Sequence, residues 1–297
     1  MTLPAPELLM QALIAGLLIG CVYTLISIGL SLIWGVMRIV NFAHGEFLMI
    51  GMYIVYYLVS AGGWNVYLTV LVAAPAVFLI GMVIFQYTIR PILGHDSMNQ
   101  IMLTLGLSLI LQNLAQALFK ANVLTVRTPY TAWIYPLFDG KVIIRMSQVI
   151  AAVGALLTTL ALYWFLQKTD AGRSIRAAAQ NRNAATLMGI NVEQTYRLAF
   201  GLGTGTLGVA AALMTPFYYA SPTVGLFFGL IAYIVVVMGG LGSFIGTLLA
   251  GLIIALTEEM GKVFLAEGAD ARALTFLVFV VVLLVLPQGI LAGRRRN

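Results

Sequence analysis

Charge is what this sequence has least of. Only 9% of its 297 residues are Asp, Glu, Lys or Arg, against roughly 25% in a soluble globular domain. Hydrophobic residues make up 61% and the mean hydropathy is +1.01. These figures exclude an ordinary water-soluble domain. There is one cysteine, Cys21, so an internal disulfide framework and any CxxC metal or redox pair are excluded. Cys21 reads as a small buried apolar side chain. The two histidines, His44 and His95, stand at no metal-ligand spacing, so no metal and no cofactor is expected. No phosphate loop is present: Gly140-Lys141 and Gly261-Lys262 lack the earlier glycine and the following hydroxyl residue. By that route the chain does not hydrolyse ATP. No nucleophile lies at a useful spacing from a base, so no catalytic residue is assigned and a membrane-embedded enzyme has no support. Thr2-Leu3-Pro4-Ala5-Pro6-Glu7 carries no basic residue before the first apolar run, which argues against a cleaved signal peptide. The net charge of +6 sits in short loops and at the C-terminus, where membrane topology puts it, and is no sign of nucleic-acid binding.

What the sequence has instead is apolar runs that approach the roughly 20 residues needed to cross a bilayer. The class is an all-α, polytopic transmembrane bundle of about 8–9 spans, some of them broken, forming a single domain over residues 1–297. The runs are Leu8 to Trp34, Phe47 to Val59 (with a start as early as Asn41), Val66 to Ile89, Ile101 to Phe119, Val149 to Leu166, Leu198 to Tyr219, and Ala273 to Leu286. The stretch Leu226 to Thr257 is too long for one straight helix. Gly239-Gly240-Leu241-Gly242-Ser243 divides it into two. Thirty glycines suit membrane helices whose backbones approach closely.

Positive charge sets an expected orientation. The tail Arg294-Arg295-Arg296 and the loop with Lys168, Arg173, Arg176 and Arg182 go to the cytoplasm. The N-terminus and an acidic loop with Glu258, Glu259, Glu267 and Asp270 then lie outside. The loop with Lys120, Arg127, Lys141 and Arg145 is placed outside as well. Its Tyr130, Trp133, Tyr135, Pro129 and Pro136 read as a structured interfacial lid.

Three features bear on function. Asn41-Phe42-Ala43-His44-Gly45-Glu46-Phe47 puts polar side chains at the mouth of an apolar run, where they are costly and by default functional. Asn41, His44 and Glu46 line a pathway, or pair and cap a helix, or form a headgroup-level cluster of no special role. Gly239, Gly240, Gly242 and Ser243 either expose backbone groups to a substrate in a broken helix or make a tight turn between two spans. Gln112 and Asn113 sit in a span, as interhelical hydrogen-bond partners or, for Gln112, as a substrate contact. Gly45-Glu46-Phe47 and Gly242-Ser243-Phe244 faintly echo each other. The third feature is residues 168–197. Thr169-Asp170 caps a helix start, Ser174 to Gln180 is helical by propensity, and Asn181-Arg182-Asn183 breaks it. A short helix from Ala184 to Met188 ends at Gly189, with Ile190 as the following apolar contact. Such an elbow is a solvated loop or a surface for docking into a groove.

Asn183-Ala184-Ala185-Thr186-Leu187-Met188-Gly189 resembles the Glu-Ala-Ala-x-x-x-Gly coupling sequence of ABC-transporter permeases, with Asn183 in place of Glu and no Ile-x-Leu-Pro downstream. The run from Gly29-Leu30-Ser31-Leu32 through Trp34-Gly35-Val36-Met37-Arg38 to Asn41-Phe42-Ala43-His44-Gly45-Glu46-Phe47 resembles the LivH-type permease of branched-chain amino acid ABC importers. So do Thr104-Leu105-Gly106-Leu107-Ser108, Met188-Gly189-Ile190-Asn191-Val192, Gly239-Gly240-Leu241-Gly242-Ser243 and Pro287-Gln288-Gly289. The blocks keep family order over nearly the whole chain. The resemblance implies a multi-pass protein of the bacterial inner membrane that carries an amino acid by alternating access. It implies a second, LivM-like permease subunit, two ATPase subunits and a periplasmic substrate-binding protein as partners. It implies coupling through Arg173, Arg176, Ala184, Ala185 and Gly189. Two positions depart from the family: Ile231 and Tyr233 where Lys-Ala-Phe is usual, and Leu286 where an Arg commonly precedes Pro287. Both remove a cation, which leaves an amide or urea cargo open. An ion-coupled secondary transporter acting alone is the remaining alternative, and Glu46 is thin provision for it.

Overall fold

The structure, a computed structural model, describes residues 5–126, 128–138, 140–265 and 268–291. Its helices are α1 (Pro6–Met37), α2 (His44–Ser60), α3 (Val70–Ile84), α4 (Ser97–Phe119), α5 (Met146–Lys168), α6 (Asp170–Gln180), α7 (Arg182–Leu187), α8 (Val192–Met214), α9 (Val224–Gly239), α10 (Phe244–Phe264) and α11 (Gly268–Val285). A π turn (Phe85–Ile89) and a 3-10 turn (Arg90–Ile92) extend α3. Six of these helices, α1, α3 with its extension, α4, α5, α8 and α10, are long and apolar enough to cross a membrane, and α9 and most of α11 are shorter apolar helices. The fold is thus a polytopic helical bundle.

The glycine break falls where the sequence puts it. Gly240 and Gly242 take φ of 97° and 77°, a region closed to most side chains, and Ser243 caps α10 by accepting from Gly246 N at 3.2 Å. Other expectations need correction. Asn41 precedes α2 rather than opening it. Glu258 and Glu259 belong to α10, not to a loop: Glu258 is buried, takes a hydrogen bond from Tyr23 Oη at 2.8 Å and lies 3.4 Å from Lys262 Nζ. Tyr23 lies 235 positions away in sequence, so nothing local to Glu258 announced its burial. Glu267, Arg127 and Arg294 to Arg296 lie outside the described residues. Residues 120–146 hold an antiparallel hairpin, β1 (Ile134–Leu137) with β2 (Val142–Arg145). It is fastened to the bundle by Gln11, whose side chain bonds both backbone groups of Ile143 at 2.8 and 2.6 Å. Asn65 to Tyr130 Oη at 2.9 Å and a backbone bridge between Leu124 and Ala220 hold the rest.

The core is built on glycines that bring helix backbones into contact. Gly16 and Gly20 of α1 lie on Leu256 and Leu252 of α10, and Gly208 of α8 lies on Ala73 and Ala74 of α3. Both pairs run antiparallel. Gly29 of α1 and Gly203 of α8 each sit on the other's backbone, and Gly45 of α2 sits on Gly225 and Gly229 of α9. The pairing is that of an internal repeat with α1–α3 and α8–α10 exchanged. Thr24 of α1 bonds Gly20 O and Leu248 O while closing on Gly251 of α10. Thr204 of α8 bonds Phe200 O and Val77 O while closing on Gly81 of α3. One sequence offset relates Thr24 to Thr204, His44 to Val224 and Gly45 to Gly225. The echo of Gly45-Glu46-Phe47 in Gly242-Ser243-Phe244 does not mark this repeat, because Gly242 lies on Gly35 of α1.

The crossing at Gly45 leaves no space for a side chain on either helix. Gly45→Val is expected to destabilise the chain by about 3 kcal/mol, the upper end of overpacking costs. Gly106→Ala, at a position with nothing within 4 Å, is expected to leave the isolated chain at least as stable. Thermal unfolding of the purified chain in detergent measures both, and equal losses at the two sites contradict the packing argument.

Candidate functional site

The polar cluster lies at the centre of the bundle. Beyond α1 the chain turns at Arg38, in left-handed conformation with φ 55°, and re-enters the protein. Val40 O accepts from Thr104 Oγ1 of α4 at 3.1 Å. His44 Nε2 lies 3.0 Å from Ile26 O, well inside α1. Glu46 Oε1 accepts from Ser108 Oγ at 2.9 Å, half-way along α4. α2 therefore begins at mid-depth instead of at the edge. So does α9, whose first turn meets it: Gly225 lies directly over Glu46 Oε2.

Asn41, His44 and Glu46 are all buried. Facing a carbonyl, His44 Nε2 is the donor, which assigns the proton to that nitrogen and leaves Nδ1 as an acceptor. Among the described residues, His44 Nδ1, Glu46 Oε2 and both amide atoms of Asn41 have no protein hydrogen-bond partner. Nor does a Lys or Arg pair with Glu46. What stands beside its carboxyl is the start of two helices, its own and α9. Helix starts carry unpaired N–H groups and the positive end of the macrodipole, so the site favours an electron-rich group. A metal site is not formed: the described residues hold no group of three His, Cys, Asp or Glu that suits an ion.

The other pathway candidates lie elsewhere. Gln112 is half-buried on α4, one turn beyond Ser108. Gly239, Gly240, Gly242 and Ser243 form the turn between α9 and α10, packed against Gly35 and Gly289. Gly35 is nine residues further along α1 than Ile26, or about 13 Å at 1.5 Å per residue. The two groups are at different depths. Beside that turn is a cleft of about 570 Å³, lined by Trp34, Arg38, Tyr163, Gln167, Arg176 and Gly242.

The elbow stands at this same end. Thr169 caps α6 by accepting from Gly172 N, and Asn181 caps α7 by accepting from Ala184 N, both at 3.0 Å. Gly189, with φ 82°, closes α7 through Gly189 N to Thr186 O and Ile190 N to Ala185 O, each 3.0 Å. This is the six-to-one and five-to-two pattern of a left-handed C-terminal cap. The five expected coupling residues have different surroundings. Arg173 is exposed and pairs with Asp170; Ala184 and Gly189 are exposed. Ala185 is buried, and the Arg176 guanidinium donates to the Leu166 carbonyl at the end of α5. Sequence reasoning missed Leu187 and Met188, 88% and 82% exposed, the barest large apolar side chains of the described chain. Their signal was two apolar residues in a polar loop immediately before the capping glycine.

Bundle, re-entrant helix starts and capped elbow together define a multi-pass membrane transporter. The chain belongs to the family described as branched-chain amino acid transport system / permease component, which matches residues 12–286. It is 30% identical to the high-affinity branched-chain amino acid transport system permease protein LivH of Escherichia coli K12, over 95% of each chain. It is 32% identical to the corresponding permease protein BraD of Pseudomonas aeruginosa, again over 95% of each chain. A probable LivH of Methanocaldococcus jannaschii is 26% identical over 90% of this chain and 87% of its own. No solved structure matches. The chain is thus a transport permease subunit and not an enzyme.

Glu46 supplies a test of the central cluster. Glu46→Ala empties a buried site and leaves the Ser108 hydroxyl unpaired; the expected loss is about 3 kcal/mol. Glu46→Gln keeps the shape and the Ser108 bond, and is expected to cost about 1 kcal/mol. Unfolding midpoints of the two variants check the order, and a Gln variant as damaged as the Ala variant contradicts it.

Proposed function

We propose that this chain is one of the membrane-spanning subunits of an ATP-driven importer of branched-chain or related amino acids. It carries its cargo by alternating access with a second, LivM-like permease subunit. Two separate ATPase subunits do the work, and a periplasmic binding protein delivers the substrate. The setting is the bacterial inner membrane, with the elbow in the cytoplasm and the hairpin outside. Support comes from end-to-end relation to LivH and BraD and from a chain that lacks a phosphate loop of its own.

The observation that carries the reading is the elbow. Three capped helix starts, at Thr169, Asn181 and Asn191, and the cap at Gly189 hold a rigid two-helix projection with Leu187 and Met188 bare at its tip. Bare apolar side chains on a firmly held polar projection suit a groove on another protein. Arg173, Ala184 and Gly189 are exposed as well and are assigned to the docking surface with them. Arg176 and Ala185 act from behind by holding the elbow to α5 and closing α7. Gln112 and the turn Gly239, Gly240, Gly242 and Ser243 are assigned to the substrate route. Asn41, His44 and Glu46, sealed within one chain, shape its wall from behind.

The test replaces the tip. Leu187→Asp with Met188→Asp leaves the fold intact, since both side chains are solvent-facing, and is expected to lower ATP-driven uptake by the reconstituted complex at least tenfold, about 1.4 kcal/mol of docking free energy. Unchanged uptake contradicts the docking surface. Uptake by the chain alone under an ion gradient, without ATPase subunits, overturns the ATP-driven reading. The ligand bound by the partner binding protein decides between an amino acid and an amide.

A further inference from the structure

Most helices of the bundle show lipid-like outer faces. Bare side chains along α5 include Val153, Leu156, Leu157, Leu160 and Trp164, and those along α11 include Phe276, Leu277, Val280, Val281, Leu284 and Val285. α4 differs in two ways. It is loosely held: α2 is its main neighbour, through Glu46–Ser108 and the stacking of Tyr53 and Tyr57 on Phe119. Between α2, α3 and α4 lies an apolar groove of about 780 Å³. And its uncovered side, which bares Met102, Leu105, Leu109, Ile110, Leu114 and Leu118, is interrupted by polar side chains at mid-span. Asn113 and Gln116 are exposed there and Gln112 is half-buried, three carboxamides on adjacent turns of one face.

Their depth makes these three side chains poorly suited to lipid. Ser108, half-way along α4, marks the level of the buried Glu46. At about 1.5 Å per residue, Gln112 and Asn113 stand about 6 and 7.5 Å beyond it and Gln116 about 12 Å. All three fall within half of a hydrocarbon core about 30 Å thick. Asn113 Nδ2 turns back to the Leu109 carbonyl at 2.7 Å, which leaves its oxygen, and Gln116, facing outward. Carboxamides at this depth belong against protein, where they hydrogen-bond across helices. Along the same side, Asn99, Met102, Gly106, Leu109, Asn113, Gln116 and Lys120 recur at alternating steps of three and four, the spacing of a seam between paired helices. At Gly106 nothing lies within 4 Å, so a partner backbone has room to approach.

We propose that this side of α4 is the face on which the chain meets a membrane-spanning helix of a second permease subunit. The proposal rests on the reading that the chain works as one of a pair of permeases, and it fixes which helix makes the contact. The experiment places a photo-reactive benzophenone amino acid at Asn113, at Gln116 or at Met102 in the assembled complex in native membranes. A fourth variant carries it at Leu157 on α5 as the lipid-facing control. The adducts are identified by mass. The expected result is a covalent adduct to a permease chain from at least two of the three α4 positions and lipid adducts alone from Leu157. Lipid adducts alone from all three α4 positions, or none while Leu157 reacts, overturn the proposal. ATP-driven uptake by the unsubstituted complex is measured in the same membranes. Uptake with lipid-only adducts sinks this contact and leaves the importer reading standing; permease adducts without ATP-driven uptake do the reverse.

Discussion

Two helix starts touch at the middle of this bundle with no side chain between them. Gly45 of α2 and Gly225 of α9 meet backbone to backbone, and much of the architecture follows from that contact. Because α2 begins there, Glu46 falls half-way along α4, within reach of Ser108. Because α9 begins there, the carboxyl of Glu46 lies beside a second helix start. A short helix that begins in hydrocarbon exposes up to four unpaired N–H groups, which lipid cannot satisfy. Meeting another helix start inside protein removes them from lipid. The same contact explains why these two helices are short: each spans only the part of the bundle between the centre and one end.

The glycine contacts and the threonine bonds act together elsewhere. Gly251 and Gly81 each accept a threonine side chain, Thr24 and Thr204, whose hydroxyl returns to its own helix and also reaches a carbonyl of the neighbour. Close backbone approach is the main source of cohesion between helices in lipid, where no hydrophobic force favours one apolar surface over another. A chain with few charges holds its helices by contact, and several of its polar groups gather where a helix starts. Asn41, His44 and Glu46 are the case in which that economy is stretched, since four of their polar atoms have no partner among the described residues.

What was legible in the sequence was local. The spans announced themselves by length and apolarity, and the elbow by its caps: Thr169, Asn181 and Gly189 each do in the structure what their residue types do in any helix. The break at Gly239 to Ser243 was readable for the same reason. Legibility ended where the outcome depends on residues distant in sequence. Nothing near His44 tells that it re-enters to the level of Ile26. Tyr23 and Glu258 are 235 positions apart, so the charged residues that looked like a loop were part of a helix with a buried partner. The internal repeat was hard to read because its identities are sparse: at the offset of Thr24 and Thr204, Phe47, Tyr53, Ile54 and Val55 recur as Phe227, Tyr233, Ile234 and Val235, with few other matches around them. Leu187 and Met188 were passed over because apolar residues in a polar loop look like turn filler until their exposure is seen.

The elbow and the central crossing are joined by the helices between them. α6 packs on α5, α1 and α8, with Ile175 and Ala178 buried beneath it and Arg176 tied to the last turn of α5. α1 and α8 are the pair that cross at Gly29 and Gly203, and they pack on α9 and α2, the pair that meet at Gly45 and Gly225. Interiors packed this closely transmit displacement instead of absorbing it. α6 thus rests on both members of the repeat, α1 and α8, at once. α4 stands outside this frame, held to it at Glu46, Val40 and Tyr53. It is the span with the fewest ties inside this chain, which is why its carboxamides are left without a neighbour among the described residues.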